Sequence, residues 1–313
     1  MTIEATRPSD VSAAPREPEF SVVITCYFEE QSIEEFHARL SAVLEGTGRS
    51  YEIIFVNDGS SDGTLERLRG VFERDPHVTR VVDLFKNAGQ AAAITAGITE
   101  ANGRNFVLMD SDLQLEPEEL PLLLAKFDEG NDIVSGYRPS RRDSRARRLP
   151  SKIANMIMRK ASGSELSDFG CTFKIFRGPL VRAFDYGPAK KFNPVDVISQ
   201  AGRIAEVAVS HHLRAYGQSG WTFRKLFAFN MDNIVRLSEA PFQLLAMIFV
   251  ALSALLSLRI VAGFFVSFSI FPDVTNALVL YAIMIGLLVT MAVLCALGEF
   301  SIRSFLALQQ TPS

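Results

Sequence analysis

Short runs of β-branched and aromatic residues alternate with amphipathic windows through the first half of the chain, and this alternation leaves few folds open. Phe20–Cys26 (FSVVITC) is an apolar strand pattern, and Ser32–Glu45 places Ile33, Phe36, Leu40, Val43 and Leu44 on one helical face. Tyr51–Val56 reads as a buried strand, Thr64–Glu73 as a helix, Thr79–Leu84 as a strand and Ala91–Glu100 as a helix. Asn105–Met109 is again extended, Pro117–Asp128 helical and Asp132–Tyr137 extended. Periods of two and 3.6 that take turns in this way predict an α/β domain: an open, Rossmann-like, mostly parallel sheet with helices on both faces. Ligands of such sheets bind beyond the carboxyl ends of the strands, where the strand order reverses.

Hydrophobic residues make up 48% of the 313 residues, and they are unevenly spread. Ala240–Leu258 runs for 19 residues without a charge, stays apolar past Arg259 to Phe271, and is followed by 21 uncharged residues at Ala277–Leu297. Each run is long enough to cross the ~30 Å hydrocarbon layer as a helix. Phe271–Asn276, with its Pro and Asp, reads as a turn, so residues 240–300 predict a transmembrane hairpin with spans at about 241–266 and 277–298. A buried helix pair of a soluble protein is the alternative, and runs that are apolar all round argue against it. Arg224, Lys225 and Arg236 precede the first span and Arg303 follows the second, whereas the connection carries Asp273 and no Lys or Arg. This asymmetry predicts a multi-pass membrane protein with its α/β domain and both termini in the cytoplasm. Arg259 then has to snorkel or find a partner.

The remaining segments divide into a tail at 1–18, disordered by composition, and an α/β domain at 19–220 in two halves, 19–138 and 139–220. An amphipathic interface helix at 221–239 precedes the hairpin, and a cytoplasmic tail follows at 301–313. Ser144–Gly163 sets Arg145, Arg147, Arg148, Lys152, Arg159 and Lys160 beside Ile153, Met156 and Ile157, and Trp221–Leu237 mixes Trp, Phe and Leu with Arg and Lys. Both suit helices lying on an anionic bilayer surface, the plainer alternative being ordinary surface helices. The basic run Arg141–Arg148 lacks interleaved aromatics, and the net charge is −3, so lipid headgroups rather than nucleic acid are its expected partner. Cys26, Cys171 and Cys295 are too sparse for a disulfide framework, and Cys26 and Cys171 read as small packing residues. The four histidines show no zinc-ligand spacing, and His211-His212 suit packing or hydrogen bonding better than metal ligation.

Two polar segments stand where the strand pattern stops. Tyr51–Val56 leads into Asn57-Asp58-Gly59-Ser60-Ser61-Asp62-Gly63-Thr64, in which a carboxylate can accept from ribose hydroxyls or a base N–H and Asp62 or Ser61 can cap the next helix. Asn105–Met109 leads into Asp110-Ser111-Asp112-Leu113-Gln114. Carboxylates two apart at a fraying strand end, with Gln114 as a neutral oxygen, suit Mg²⁺ or Mn²⁺ holding a diphosphate.

These segments resemble glycosyltransferase family 2, of GT-A fold, and within it the polyprenyl-phosphate glycosyltransferases. SVVITCYFEE, VNDGSSDGT, KNAGQAAAITAGI, MDSDLQLEPEEL and VSGYRPSR carry the nucleotide side of the likeness, and SDFGCTFKIFR and RAYGQSGWTFRKL the acceptor side. The DFGC and HHLRAYGQS segments look most like the undecaprenyl-phosphate 4-deoxy-4-formamido-L-arabinose transferases; dolichol-phosphate mannose synthases and bactoprenol glucosyltransferases are more distant. The resemblance implies inverting transfer from a nucleotide-sugar, UDP-linked, to a polyprenyl phosphate, by a homotetramer. It places Thr25, Tyr27, Glu29, Asp58, Gly89, Gln90, Asp110 and Ser111 at the nucleotide-sugar, and Asp110, Asp112 and Gln114 at the metal. It places Arg138, Arg214, Ser219 and Lys225 at the acceptor phosphate, with Asp168, Asp112 and Arg138 as catalytic candidates. Thr25-Cys26-Tyr27-Phe28 replaces the family's Pro-x-Tyr-Asn, and Cys171 stands where several relatives carry a second acid, leaving Asp168 alone. A processive polysaccharide synthase is the alternative, but Gln218-Ser219-Gly220-Trp221 does not supply its QxxRW motif. A non-catalytic membrane scaffold is a third, and intact Asp58, Asp110, Asp112 and Asp168 argue against it.

Overall fold

The computed structural model describes residues 2–6, 17–139, 156, 159, 163–184, 192–214, 240–267 and 274–309. The chain separates into two compact units, one ending at Asn230 and the other starting at Met231.

The first unit is an eight-stranded sheet with helices on both faces. In chain order its elements are β1 (Thr2–Thr6), β2 (Phe20–Cys26), α1 (Ile33–Gly46), β3 (Tyr51–Asn57), α2 (Thr64–Arg74), β4 (Val78–Asp83), α3 (Gln90–Thr99) and β5 (Asn105–Asp110). There follow a 3-10 turn (Pro117–Glu119), α4 (Leu120–Asp128), β6 (Ile133–Tyr137), β7 (Lys174–Arg177), α5 (Gly178–Arg182), α6 (Pro194–Gln200) and β8 (Ile204–Ala208). The strand order is β1-β4-β3-β2-β5-β7-β6-β8. The central pairs β4/β3, β3/β2 and β2/β5 are parallel. Their residues alternate between two cores: Val22, Ile24, Ile53 and Phe55 pack on the side of α1 and α2, and Val23, Ile54 and Val56 on the side of α3. Burial on both faces is why these strands read as continuous apolar runs rather than alternating ones.

Three features depart from the sequence reading. Thr2–Thr6, within the stretch expected to be a disordered tail, is an edge strand antiparallel to β4, where its β-branched residues meet an open ladder. The expected helix at 117–128 begins as a 3-10 turn, because Pro117 and Pro121 leave its first turns short of amide donors. β7 enters antiparallel between β5 and β6, a placement that local periodicity does not contain.

The second unit is a helical pair, α7 (Ala240–Ser267) and α8 (Val274–Gln309), packed on each other. α8 continues to Gln309, through most of the segment expected to be a tail. Among the described residues, Tyr281–Ser301 is long and apolar enough to cross a bilayer, and Gln243–Arg259 is a shorter apolar helix. Among the described residues, two polar links join the pair: Gln243 Nε2 donates to Glu299 Oε1 at 2.9 Å, and Arg259 Nε donates to the Tyr281 hydroxyl at 3.2 Å. Arg259, the one awkward charge of the first apolar run, thus has a partner. The residues proposed to form interface helices, 144–163 and 221–239, lie outside the described residues apart from Met156, Arg159 and Gly163.

Candidate active site

The strand order reverses between β2 and β5, and the carboxyl ends of these two strands carry Thr25 and Asp110 as direct register partners. Asp110 is the hub. Its Oδ1 accepts from Thr25 Oγ1 and from Gln90 Nε2, both at 2.8 Å, and its Oδ2 accepts from Thr172 Oγ1 at 2.7 Å. Burial and then the neighbouring Asp112 push the Asp110 carboxyl above the usual carboxylate range, and these donors oppose the shift. Gln90 opens α3, and Gly89 before it has φ +90°, so the turn into α3 aims Gln90 at Asp110. Thr172 was not among the sequence candidates, since nothing in its local pattern marks it. Ser111 is buried and donates to Thr25 O and Cys26 Sγ, which makes it a brace between strand ends. Burial raises the thiols of Cys26 and Cys171 above their ordinary range.

Asp58 lies at the end of β3, where its carboxylate accepts from Ala88 N (2.8 Å), Gly89 N (3.1 Å) and Asn87 Nδ2 (3.2 Å). It therefore gathers the turn before α3 as well as standing in the nucleotide segment. Gly59 has φ +67°, and a β-carbon there would lie 2.3 Å from the Lys86 carbonyl carbon and 2.5 Å from Asn87 N. Only glycine fits both the conformation and the contact. Asp62 Oδ1 accepts from Thr64 N and Oγ1 at the start of α2. Immediately after β2 and β5, Phe28 (φ +59°) and Leu113 (φ +56°) occupy the left-handed region, which costs a non-glycine residue about 1–2 kcal/mol. Tyr27 and Phe28 stack edge to face at 4.5 Å and remain partly exposed beside the crevice.

Asp112 and Glu29 are both buried and share one cation. Arg214 donates to Asp112 Oδ2 at 2.8 Å and lies 3.6 Å from Glu29 Oε1. Burial raises the Glu29 pKa to about 7, against hydrogen bonding from Ser32 and attraction to Arg214. Gln114 sets the position of Arg214: its carbonyl accepts from His212 N at 2.9 Å, and its Nε2 donates to His212 O at 3.3 Å. His212 itself pairs with Glu116 at 2.9 Å. Among the described residues no group of three or more His, Cys, Asp or Glu side chains gathers around one point. The oxygen-only donors Asp110 and Asp112, mutually repulsive at one strand end, nevertheless fit a hard divalent cation.

Arg138 follows β6 and grips Asp168 with two parallel bonds, Nε to Oδ2 at 2.6 Å and Nη2 to Oδ1 at 2.9 Å. Both side chains are almost wholly buried. This fork holds the Asp168 carboxyl and the Arg138 guanidinium in a fixed mutual plane. Ser219 and Lys225 lie outside the described residues.

Residues 21–184 match the model of Glycosyl transferase family 2, and the chain belongs to that family. It is 35% identical over 230 residues to the undecaprenyl-phosphate 4-deoxy-4-formamido-L-arabinose transferases of Salmonella paratyphi A and Salmonella enteritidis PT4, covering 73% of this chain and 70% of each relative. Among solved structures it is similar to glucosyl-3-phosphoglycerate synthase from Mycobacterium tuberculosis in complex with Mn²⁺, uridine-diphosphate and phosphoglyceric acid. That similarity has a TM-score of 0.51 at 20% identity and covers 70% of this chain and 76% of that one. It shows the shared fold.

Proposed function

We propose that this glycosyltransferase moves a sugar from a UDP-linked donor to a polyprenyl phosphate, undecaprenyl phosphate being the natural candidate, with inversion at the anomeric carbon. The observation that carries this is the pair of arginines, Arg138 and Arg214, each held by a buried carboxylate. Two fixed guanidinium groups suit a reaction with phosphate on both donor and acceptor. The acceptor named for the Salmonella relatives supports the lipid phosphate.

A phosphate monoester has its second pKa at about 6 and is already an anionic nucleophile at neutral pH. A strong base is not required. Asp168, locked to Arg138, orients the reacting groups rather than removing a proton from a hydroxyl. Thr25, Tyr27, Asp58, Gly89, Gln90, Asp110 and Ser111 shape the nucleotide crevice, and Glu29 lies behind it against Arg214. Asp112 with Asp110 would hold a Mg²⁺ or Mn²⁺ ion, which supplies charge neutralisation for the leaving diphosphate; the Mn²⁺ in the glucosyl-3-phosphoglycerate synthase complex supports this. Gln114 acts through the position it gives Arg214. Ser219 and Lys225 complete the acceptor side. The pair α7 and α8 anchors the enzyme as a hairpin in the inner membrane, with the catalytic domain and both termini cytoplasmic. A homo-oligomer, tetrameric by resemblance, belongs to the same proposal.

Incubating the full chain in membranes with radiolabelled nucleotide-sugars and undecaprenyl phosphate tests the reading. Organic-extractable labelled lipid is the expected product. Labelled aqueous polymer would instead identify a processive synthase, and no product with any donor a non-catalytic scaffold.

A further inference from the structure

Lys174 is a lysine in an unusual place: it lies in β7, in the middle of the sheet, and is 1% exposed. Burial lowers its pKa, and Asp168 and Glu206 are among the groups that counter the shift. A buried ammonium is costly unless its donors are used. Here two of its three N–H groups are used: Nζ donates to the carbonyl of Cys171 and, at 3.4 Å, to that of Phe169. Both carbonyls belong to the turn just after Asp168.

Glu206 of β8 does the converse from the other side. Its Oε1 accepts from Ser167 N at 2.8 Å, from Ser167 Oγ at 3.0 Å and from Asp168 N at 3.4 Å. The amides entering the turn are held by an anion, and the carbonyls leaving it by a cation. The sheet register explains the convergence. Ser135 of β6 is the partner of Lys174 in the antiparallel β6/β7 ladder and of Glu206 in the parallel β6/β8 ladder. Register partners point to the same face, so Lys174 and Glu206 flank Ser135 about 10 Å apart along the ladder direction. The small, fully buried Ser135 leaves the space between them to the turn. Arg138, three residues further along the same β6 segment, grips the carboxylate that the turn presents.

We propose that Lys174 and Glu206 are positioning residues for sugar transfer, clamping the Ser167–Cys171 turn from opposite ends and thereby aiming the Asp168–Arg138 pair. Neither touches substrate. The proposal rests on the transferase reading above for its kinetic consequence and on the hydrogen bonds alone for its structural one. A displacement of about 1 Å at a reacting centre costs on the order of a hundredfold in rate, so loosening this turn acts on kcat more than on donor binding.

The test uses the full chain in nanodiscs, with two readouts: transfer kinetics with undecaprenyl phosphate, and amide hydrogen exchange of residues 165–175 without any ligand. Lys174→Met is expected to lower kcat about thirtyfold, leave the donor KM within twofold and speed exchange at 167–171 at least tenfold. Glu206→Leu is expected to do the same, whereas Glu206→Gln, which keeps an acceptor, retains kcat within threefold at an equal Tm. The proposal is overturned if Lys174→Met and Glu206→Leu leave kcat within twofold of wild type, or if exchange in the turn is unchanged. It is also overturned if Gln and Leu at 206 behave alike. Should Lys174→Met not fold, the two Glu206 variants decide. Should the wild type form no lipid product, the transferase reading fails, and the exchange arm still decides whether the clamp exists.

Discussion

Arg214 donates a 2.8 Å hydrogen bond to Asp112, the second carboxylate of the DSD segment and a residue 102 positions away. The guanidinium thus stands on an oxygen that a divalent cation would use. Replacing Arg214 with Gln is expected to tighten Mn²⁺ binding to the ligand-free enzyme several-fold, read by electron paramagnetic resonance of free Mn²⁺. Transfer at saturating Mn²⁺ should drop at least tenfold. Unchanged Mn²⁺ affinity would show that arginine and cation use different faces of Asp112.

Glu29 has its pKa raised from 4.5 to about 7, chiefly by burial. The folded state therefore holds this proton more tightly than the unfolded chain does. As pH rises from about 4.5 towards 7 the unfolded chain loses the proton first, and stability falls. Glu29→Gln keeps an acceptor for Ser32 and removes that slope. Its Tm relative to wild type should be a few degrees higher at pH 8 than at pH 5, since ~1 kcal/mol moves Tm by about 2–4 °C in a domain of this size. Thermal melts at the two pH values measure it, and a constant difference would place the titration elsewhere.

Asp168→Asn keeps the shape of the side chain but loses the charge that Arg138 grips. Turnover is expected to fall at least tenfold. Turnover within a few-fold of wild type would remove Asp168 from catalysis and leave the arginine to act alone.

Gly59→Ala forces a β-carbon against the backbone of Lys86 and Asn87 at a φ of +67°. The left-handed conformation alone costs about 1 kcal/mol, and the contact adds to it. A Tm loss of 4 °C or more is expected, together with weaker donor binding by calorimetry, because the same turn carries Asp58. Normal stability would mean that the loop at 86–87 can yield.

Asp273→Cys, between α7 and α8, in a Cys295→Ser background, is expected to react with a membrane-impermeant maleimide from the outside of intact cells. Labelling only after cell lysis would contradict the proposed hairpin orientation.

Much of the scaffold was legible because periodicity records local burial. Val22, Val23 and Ile24 in succession report a strand covered on both faces, and the 3.6-residue spacing of Ile33, Phe36, Leu40 and Leu44 reports one covered face of a helix. The placement of Asp58, Asp110 and Asp112 at strand ends was legible as well, since the apolar runs before them stop there. The antiparallel entry of β7 was not, nor the partners that meet through it. Thr172 reaches Asp110 across 62 residues, and Lys174 lies beside Ser135 only because β7 pairs with β6.

The sequence by itself determined the α/β class, the carboxylates at the strand ends and the long apolar C-terminal runs, all properties of neighbours along the chain. The tertiary structure decided that Asp58 gathers the turn before α3, that Arg214 answers Asp112, and that a buried lysine and a half-buried glutamate bracket Asp168. Those outcomes depend on which segments cross in space. Hydrogen bonds and charges over a few ångströms settle them, and no local pattern encodes such distances.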